Sequence, residues 1–154
     1  MILLSLALMA QPVPPGEQAV DPYVVSDANA GSKAMGNDHV FRAFNGRQGV
    51  NRIVARMIEL SVADPRISEI FKASDLVRLR RTLGEQFCFI LGGGCFYTGR
   101  SMKNAHKDMG LQTADMNALV EHLQTSMEIE RVPFWAQNRL LARLAPMKRD
   151  VVER

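Results

Sequence analysis

Tyr97 to Gly110 reads Y-T-G-R-S-M-K-N-A-H-K-D-M-G, and the fold turns on what this stretch is. Gly99 and Gly110 bracket His106 so closely that only a short helix fits between them, since glycine commonly marks helix ends. Just upstream, Gly94 to Ser101 reads G-C-F-Y-T-G-R-S, one residue away from the phosphate-cradling pattern G-x-x-x-x-G-K-[S/T]. The likeness fails on three points. Arg100 stands where the lysine belongs, the preceding segment has helical rather than strand periodicity, and no later apolar run ends in a magnesium-binding aspartate.

Outward from this stretch, the chain reads as helix on both sides. From Arg47 to Ala63, Val50, Ile53, Val54, Met57 and Ile58 recur at i, i+3, i+4, i+7 and i+8, which places them on one helical face. Asp64-Pro65 ends that helix, because the residue before proline avoids the helical region. The short segment R-I-S-E-I-F carries Phe71 to a cap at Ser74 or Asp75. From there Leu76, Leu79, Leu83, Phe87 and Ile90 line one face of another helix, which Gly92, Gly93 and Gly94 stop. Downstream, Thr113 caps a helix whose stripe is Met116, Leu119, Val120, Leu123 and Met127. Pro133 suits the first position of a last helix carrying Phe134, Leu141 and Leu144, which Pro146 ends or kinks. Only F-C-F-I-L competes as a strand. The fold class is all-α, several apolar stripes facing one another.

Length and composition bound the rest. With 154 residues, 47% hydrophobic and 23% charged, the chain fits one domain plus a tail. A net charge of +3 without a block of consecutive Lys or Arg gives no support to a nucleic-acid or membrane-surface role. Residues 1–10, M-I-L-L-S-L-A-L-M-A, are too short an apolar run to span a bilayer and end in small residues. They read as an export signal that lacks a basic n-region, or else as an apolar N-terminus. Residues 11–38 include Q-P-V-P-P-G-E-Q-A-V-D-P, whose clustered prolines suit a disordered tail or extended linker. The helical domain then occupies 39–154.

The three histidines are not equivalent. His39 lies at the linker's edge and reads as a solvent-exposed residue, and His122 flanks its helix stripe as a partly buried one. His106 sits between long apolar helices, where an imidazole serves either as a satisfied core residue or as an iron ligand, since haem held by one imidazole needs apolar walls.

From Phe41 to about Val151 the sequence resembles the truncated haemoglobins of the first group, which pack two helices over two around a haem. The resemblance is carried, in order, by F-N-G-R-Q-G-V, A-D-P-R-I-S-E-I-F, Q-F-C-F-I-L-G-G-G-C, Y-T-G-R-S-M-K-N-A-H-K-D-M-G-L and L-L-A-R-L-A-P-M-K-R-D-V-V. It implies haem b (iron protoporphyrin IX) as cofactor and His106 as the proximal ligand to the iron. By the same resemblance Phe71 packs on the porphyrin, and Leu76, Leu79, Leu83 and Phe87 line its distal side. Met102, Leu111, Leu119 and Leu144 match haem-contacting positions on other helices. Arg100 and Lys103, close to His106 in sequence, are candidates for pairing with the haem propionates. The distal ligand pocket is expected from Met57, Ile58, Leu79, Leu83 and Gln86.

Departures from the family pattern bear on function. In many members a tyrosine on the first long helix and a glutamine on the distal helix donate hydrogen bonds to bound oxygen; the aligned positions hold Ile58 and Leu83, which cannot donate. Losing a bond worth roughly 1–3 kcal/mol implies oxygen release about 5 to 150 times faster than from a tyrosine-lined site. Gln86 is the substitute donor if it swings inward. Where some relatives place a second histidine as sixth ligand, this chain has Thr82, so the reduced iron is expected to be five-coordinate. Asn45 and Gly94 stand where glycine and proline are usual, and Met116 where phenylalanine is usual; they keep the turn or apolar character required.

Cys88 and Cys95 are close enough in sequence for a bend to bring their Cα atoms within bonding range. They are either a disulfide, as an oxidising periplasm would permit, or two buried thiols. Three functions remain open: a globin binding oxygen, carbon monoxide or nitric oxide; a haem enzyme acting on nitric oxide or peroxide with an electron donor; and a helical interaction module without haem. A signal at residues 1–10 implies a periplasmic or exported protein, and its absence a cytoplasmic one.

Overall fold

The computed structural model describes residues 12–153, so the export signal expected at residues 1–10 lies outside the described residues. Every regular element among them is helical. After a 3-10 turn at Asp27–Ala30 come α1 (His39–Ala43), α2 (Gly46–Ala63), α3 (Ser68–Lys72), α4 (Leu76–Ile90), α5 (Met102–Ala105), α6 (Thr113–Ile129) and α7 (Phe134–Leu144). A second 3-10 turn at Ala145–Met147 leads into α8 (Lys148–Val151). The F-C-F-I-L run belongs to the end of α4 and the residue that caps it, so the strand alternative falls.

The apolar stripe of α2 decides its place. Val50, Ile53, Val54, Met57 and Ile58 are all buried, and burying each such side chain contributes roughly 1.5–3 kcal/mol. Accordingly α2 occupies the centre, packed against α6 and α4, while α7 touches α4 and α1. Of the two caps expected for α4 it is Asp75 that acts, its Oδ1 accepting the backbone N–H of Arg78 at 3.1 Å. Two boundaries lie one residue from the expected ones. Gln112, not Thr113, caps α6, because Asp115 accepts the Gln112 backbone N–H at 2.9 Å and completes a capping box one residue earlier. Pro133 is the cap of α7 rather than its first residue.

Cys88, in the last turns of α4, is joined to Cys95 by a disulfide, their Cα atoms 5.7 Å apart. Closing so short a loop removes about 2.5 kcal/mol of conformational entropy from the unfolded chain on the loop-closure model. The bond fixes the glycine stop of α4 to the strand of chain that leads into Tyr97–Gly110.

Residues 12–38, expected as part of a disordered tail or extended linker, lie against the helices at several points. Glu17, its side chain 2% exposed, forms a forked ion pair with Arg81, Nη2 to Oε2 at 2.9 Å. The backbone N–H of Gln18 donates to Asp75 at 2.7 Å, and Asp27 accepts the backbone N–H of Tyr97 at 2.8 Å. Further on, the N–H of Met35 donates to the Ile90 carbonyl at 2.9 Å, and Ala30 and Met35 are buried in the core. Pro14 and Pro15 enter a turn closed by the Glu17 N–H on the Pro14 carbonyl at 3.1 Å, and single polar and apolar residues pin the segment along α4.

The Arg81 side chain holds the Glu17 carboxyl below the ordinary carboxylate range, against the opposing effect of burial. A carboxylate so depressed stabilises the docked segment above its unfolded pKa, roughly 4.3 for glutamate, and loses that contribution as pH falls through the lower folded value. Acidification below about pH 4 should therefore accelerate amide hydrogen exchange in residues 12–38 before that of α2. Equal acceleration in both would count against this anchor.

Candidate functional site

Between α2, α4, α6 and the segment around α5 lies a largely apolar cavity of about 280 Å³. Met57 reaches it from α2, Phe71 from α3, and Leu79, Leu83, Gln86 and Phe87 from successive turns of α4. The opposite wall comes from Met102, His106 and Leu111, with Leu119 on α6 and Leu144 on α7. These residues were expected at one site, and one cavity brings them together.

Four expected site residues lie elsewhere. Ile58 is fully buried in the core behind the cavity; successive helical residues point about 100° apart, so with Met57 in the wall its neighbour faces the core. Leu76, one turn before Leu79, packs at the core's edge. Arg100 turns away: its guanidinium lies 5.3 Å from the Tyr23 ring centroid and donates to the Asp21 carbonyl at 3.3 Å. Lys103 is exposed on α5.

His106 closes α5. Ser101 caps that short helix by accepting the Asn104 N–H at 3.3 Å, and His106 is its C-terminal cap residue. The ring's Nδ1 lies 2.8 Å from the carbonyl oxygen of Met102. A carbonyl only accepts, so Nδ1 carries the hydrogen and the neutral ring leaves its lone pair on Nε2. This is the orientation in which imidazole ligates a metal while its other nitrogen is held by the backbone. No other described residue is bonded to Nε2.

The remaining polar groups of the wall are occupied. Ser74 donates to the Ile70 carbonyl at 3.0 Å, and Thr82 to the Arg78 carbonyl at 3.0 Å. Tyr97, its phenol pushed up to about 12 chiefly by burial, donates to the Arg100 carbonyl at 2.7 Å. That tyrosine folds beneath Gly99, where an added Cβ would collide with the phenol, which explains the glycine in Y-T-G-R. Gln86 donates through Nε2 to the Ala30 carbonyl at 2.8 Å and contacts the Met102 sulfur at 3.3 Å. The cavity thus offers a lone pair at His106 and presents its hydrogen-bond donors to its own backbone.

Sequence reading missed Ile67, Tyr97, Leu123 and Met147, which also line the cavity. Leu123 was legible as part of the α6 stripe; Met147 follows a proline and has no periodic signal. The other histidines are structural. His122 pairs with Asp64 at 2.8 Å, and His39 stacks on Trp135 with ring centroids 5.1 Å apart.

A family model described as bacterial-like globin matches residues 39–153. Among curated proteins, the chain is 27% identical over 89 residues to a group 1 truncated hemoglobin of Tetrahymena thermophila, covering 58% of this chain and 74% of that protein. It is 24% identical to group 1 truncated hemoglobin GlbN of Mycolicibacterium paratuberculosis, over 73% of this chain and 82% of the relative. Among solved structures, truncated hemoglobin from Tetrahymena pyriformis in its Fe(III) form superposes with a TM-score of 0.71 at 23% identity, over 75% of this chain and 98% of that one. The 2/2 hemoglobin from Synechococcus sp. PCC 7002, in the cyanomet state with covalently attached heme, gives 0.68 at 21% identity over the same shares. At these identities the two structures establish likeness of fold, the two-over-two arrangement.

Proposed function

Because the chain belongs to the bacterial-like globin family, we propose that it binds haem and takes up and releases a diatomic gas, with His106 as the protein's ligand to the iron. The observation that carries this reading is the hydrogen bond from His106 Nδ1 to the Met102 carbonyl, which leaves Nε2 as a metal ligand in an apolar cavity. Haem supplies a ferrous iron at which oxygen, carbon monoxide or nitric oxide binds reversibly. Phe71, Leu79, Leu83, Phe87, Leu111, Leu119 and Leu144 would enclose the macrocycle. Both cysteines of the chain are bonded to each other, so no thiol is left for thioether attachment and the group is read as haem b. Lys103, rather than Arg100, stays open to a propionate.

The residues on the gas side set the chemistry. Leu83 donates nothing, Thr82 gives its hydroxyl hydrogen to its own helix, and Gln86 is tied to Ala30. Asp115, the one carboxyl in the wall, is engaged by the Gln112 backbone N–H at 2.9 Å; with no other acid and no base besides His106 in the wall, peroxide cleavage is disfavoured, and reversible gas binding is the reading that fits.

Absorption spectra of the haem-supplemented protein test this. Reduced without ligand, the protein should show a five-coordinate high-spin spectrum that carbon monoxide converts to a six-coordinate one. A six-coordinate low-spin spectrum in the ligand-free state would refute the open site, and no haem band at all would refute haem binding.

A further inference from the structure

The donors around the cavity differ in where their acceptors lie. Ser74, Thr82, Tyr97 and His106 bond carbonyls three or four residues away, so movement of a distant segment leaves their acceptors in place. Gln86 alone among them bonds across the fold, to Ala30, 56 residues distant on the N-terminal segment. Its amide orientation is fixed, because a flipped amide would set Oε1 against the Ala30 carbonyl oxygen, two acceptors face to face. Immediately beyond, Gly31 (φ +83°) sits behind Met102 and Met147, which both line the cavity.

We infer that the N-terminal segment sets the gas-release rate by holding Gln86: docked, it withholds the one amide of the described cavity wall from a bound gas; displaced, it releases that amide into the cavity. The inference rests on the haem reading above. It follows from three features of the chain. The segment is attached to α4 and to the chain after it by separate polar contacts, the Glu17–Arg81 pair and the Gln18–Asp75 and Asp27–Tyr97 bonds among them, rather than by a helix or sheet of its own. Gln86, on the same helix as Leu79 and Leu83, already borders the cavity. Once the Ala30 carbonyl is withdrawn, a buried amide with an unmet hydrogen is costly, and a polarised gas is the acceptor at hand. Segment position and gas affinity are then two readings of one equilibrium.

Gly31→Val tests this in the full-length, haem-loaded protein. A β-branched residue is strained at that φ, and an added Cβ would lie 3.0 Å from Met102 and Met147 side-chain carbons, so the substitution disfavours the docked Ala30–Gly31 turn. Glu17→Gln is a second, remote route to the same displacement, and hydrogen exchange in residues 12–38 reports whether the segment has loosened. Oxygen release should slow about 5-fold or more in either variant, and the carbon monoxide stretching band of the ferrous complex should move to lower wavenumber. Adding Gln86→Leu to either should restore the fast rate and the original band.

A loosened segment with unchanged oxygen release overturns the inference, as does slowing that persists with Gln86→Leu. These outcomes are distinct from failure of the haem reading, in which the unaltered protein would give no carbon monoxide-sensitive spectrum and both would fall.

Discussion

Replacing His106 with glycine should lower haem affinity by two or more orders of magnitude, about 2.7 kcal/mol or more, and imidazole added to the solution should restore the reduced spectrum. The expectation follows from the site's economy of ligands. His106 offers the cavity a lone pair at Nε2, with Nδ1 fixed on the Met102 carbonyl; the other polar residues described above are committed to backbone. Apolar enclosure by Phe71, Leu79, Leu83 and Phe87 would keep a weakly held porphyrin in place, so the variant should still take up some haem without its iron being held. Haem transfer to an acceptor globin measures the loss, and absorption spectra measure the rescue. An unchanged transfer rate with an unchanged reduced spectrum would remove His106 from the site.

The second large effect is expected at Leu83. A donor placed there faces the cavity, so Leu83→Gln should slow oxygen release by about 5 to 150 times, the worth of one hydrogen bond of roughly 1–3 kcal/mol to a polarised ligand. Carbon monoxide release, which depends less on donors, should change far less. Ile58→Tyr is the instructive contrast. The resemblance points to position 58 for the missing tyrosine, yet Ile58 is packed in the core with no exposure, and a larger residue there should cost stability, typically 1–3 kcal/mol, without slowing oxygen release. Stopped-flow displacement of oxygen by carbon monoxide distinguishes the two. Slow release from Ile58→Tyr would mean that position 58 reaches the gas, and no change in Leu83→Gln would mean that the gas lies elsewhere than beneath α4.

The helices were legible because their signals are local. The stripe of α2 needs only five residues at helical spacing, and Asp75 announces α4 by its own side chain. Capping shifted by one residue at Gln112 because a reciprocal bond with Asp115 outweighed the Thr113 hydroxyl, a competition that composition does not rank. Most of the expected wall is also found in one cavity, since periodicity already grouped Leu79, Leu83 and Phe87. What failed to be legible depends on contacts distant in sequence. Arg100 lies six positions from His106, yet the ring of Tyr23 takes it away. The N-terminal segment has no apolar stripe to read; it docks through isolated residues such as Glu17, Asp27 and Ala30, each paired with something more than fifty positions away.

That docking also bears on where the protein is said to begin. The match to the globin family opens at His39, nine residues after the carbonyl that holds Gln86. A chain trimmed to that boundary would keep α1 to α8 and His106 and, on the haem reading, would still be expected to take up the group. Its gas constants, however, would belong to a site with one amide unclaimed and two methionines uncovered, and homology alone would give no warning that the measured pocket was no longer the native one.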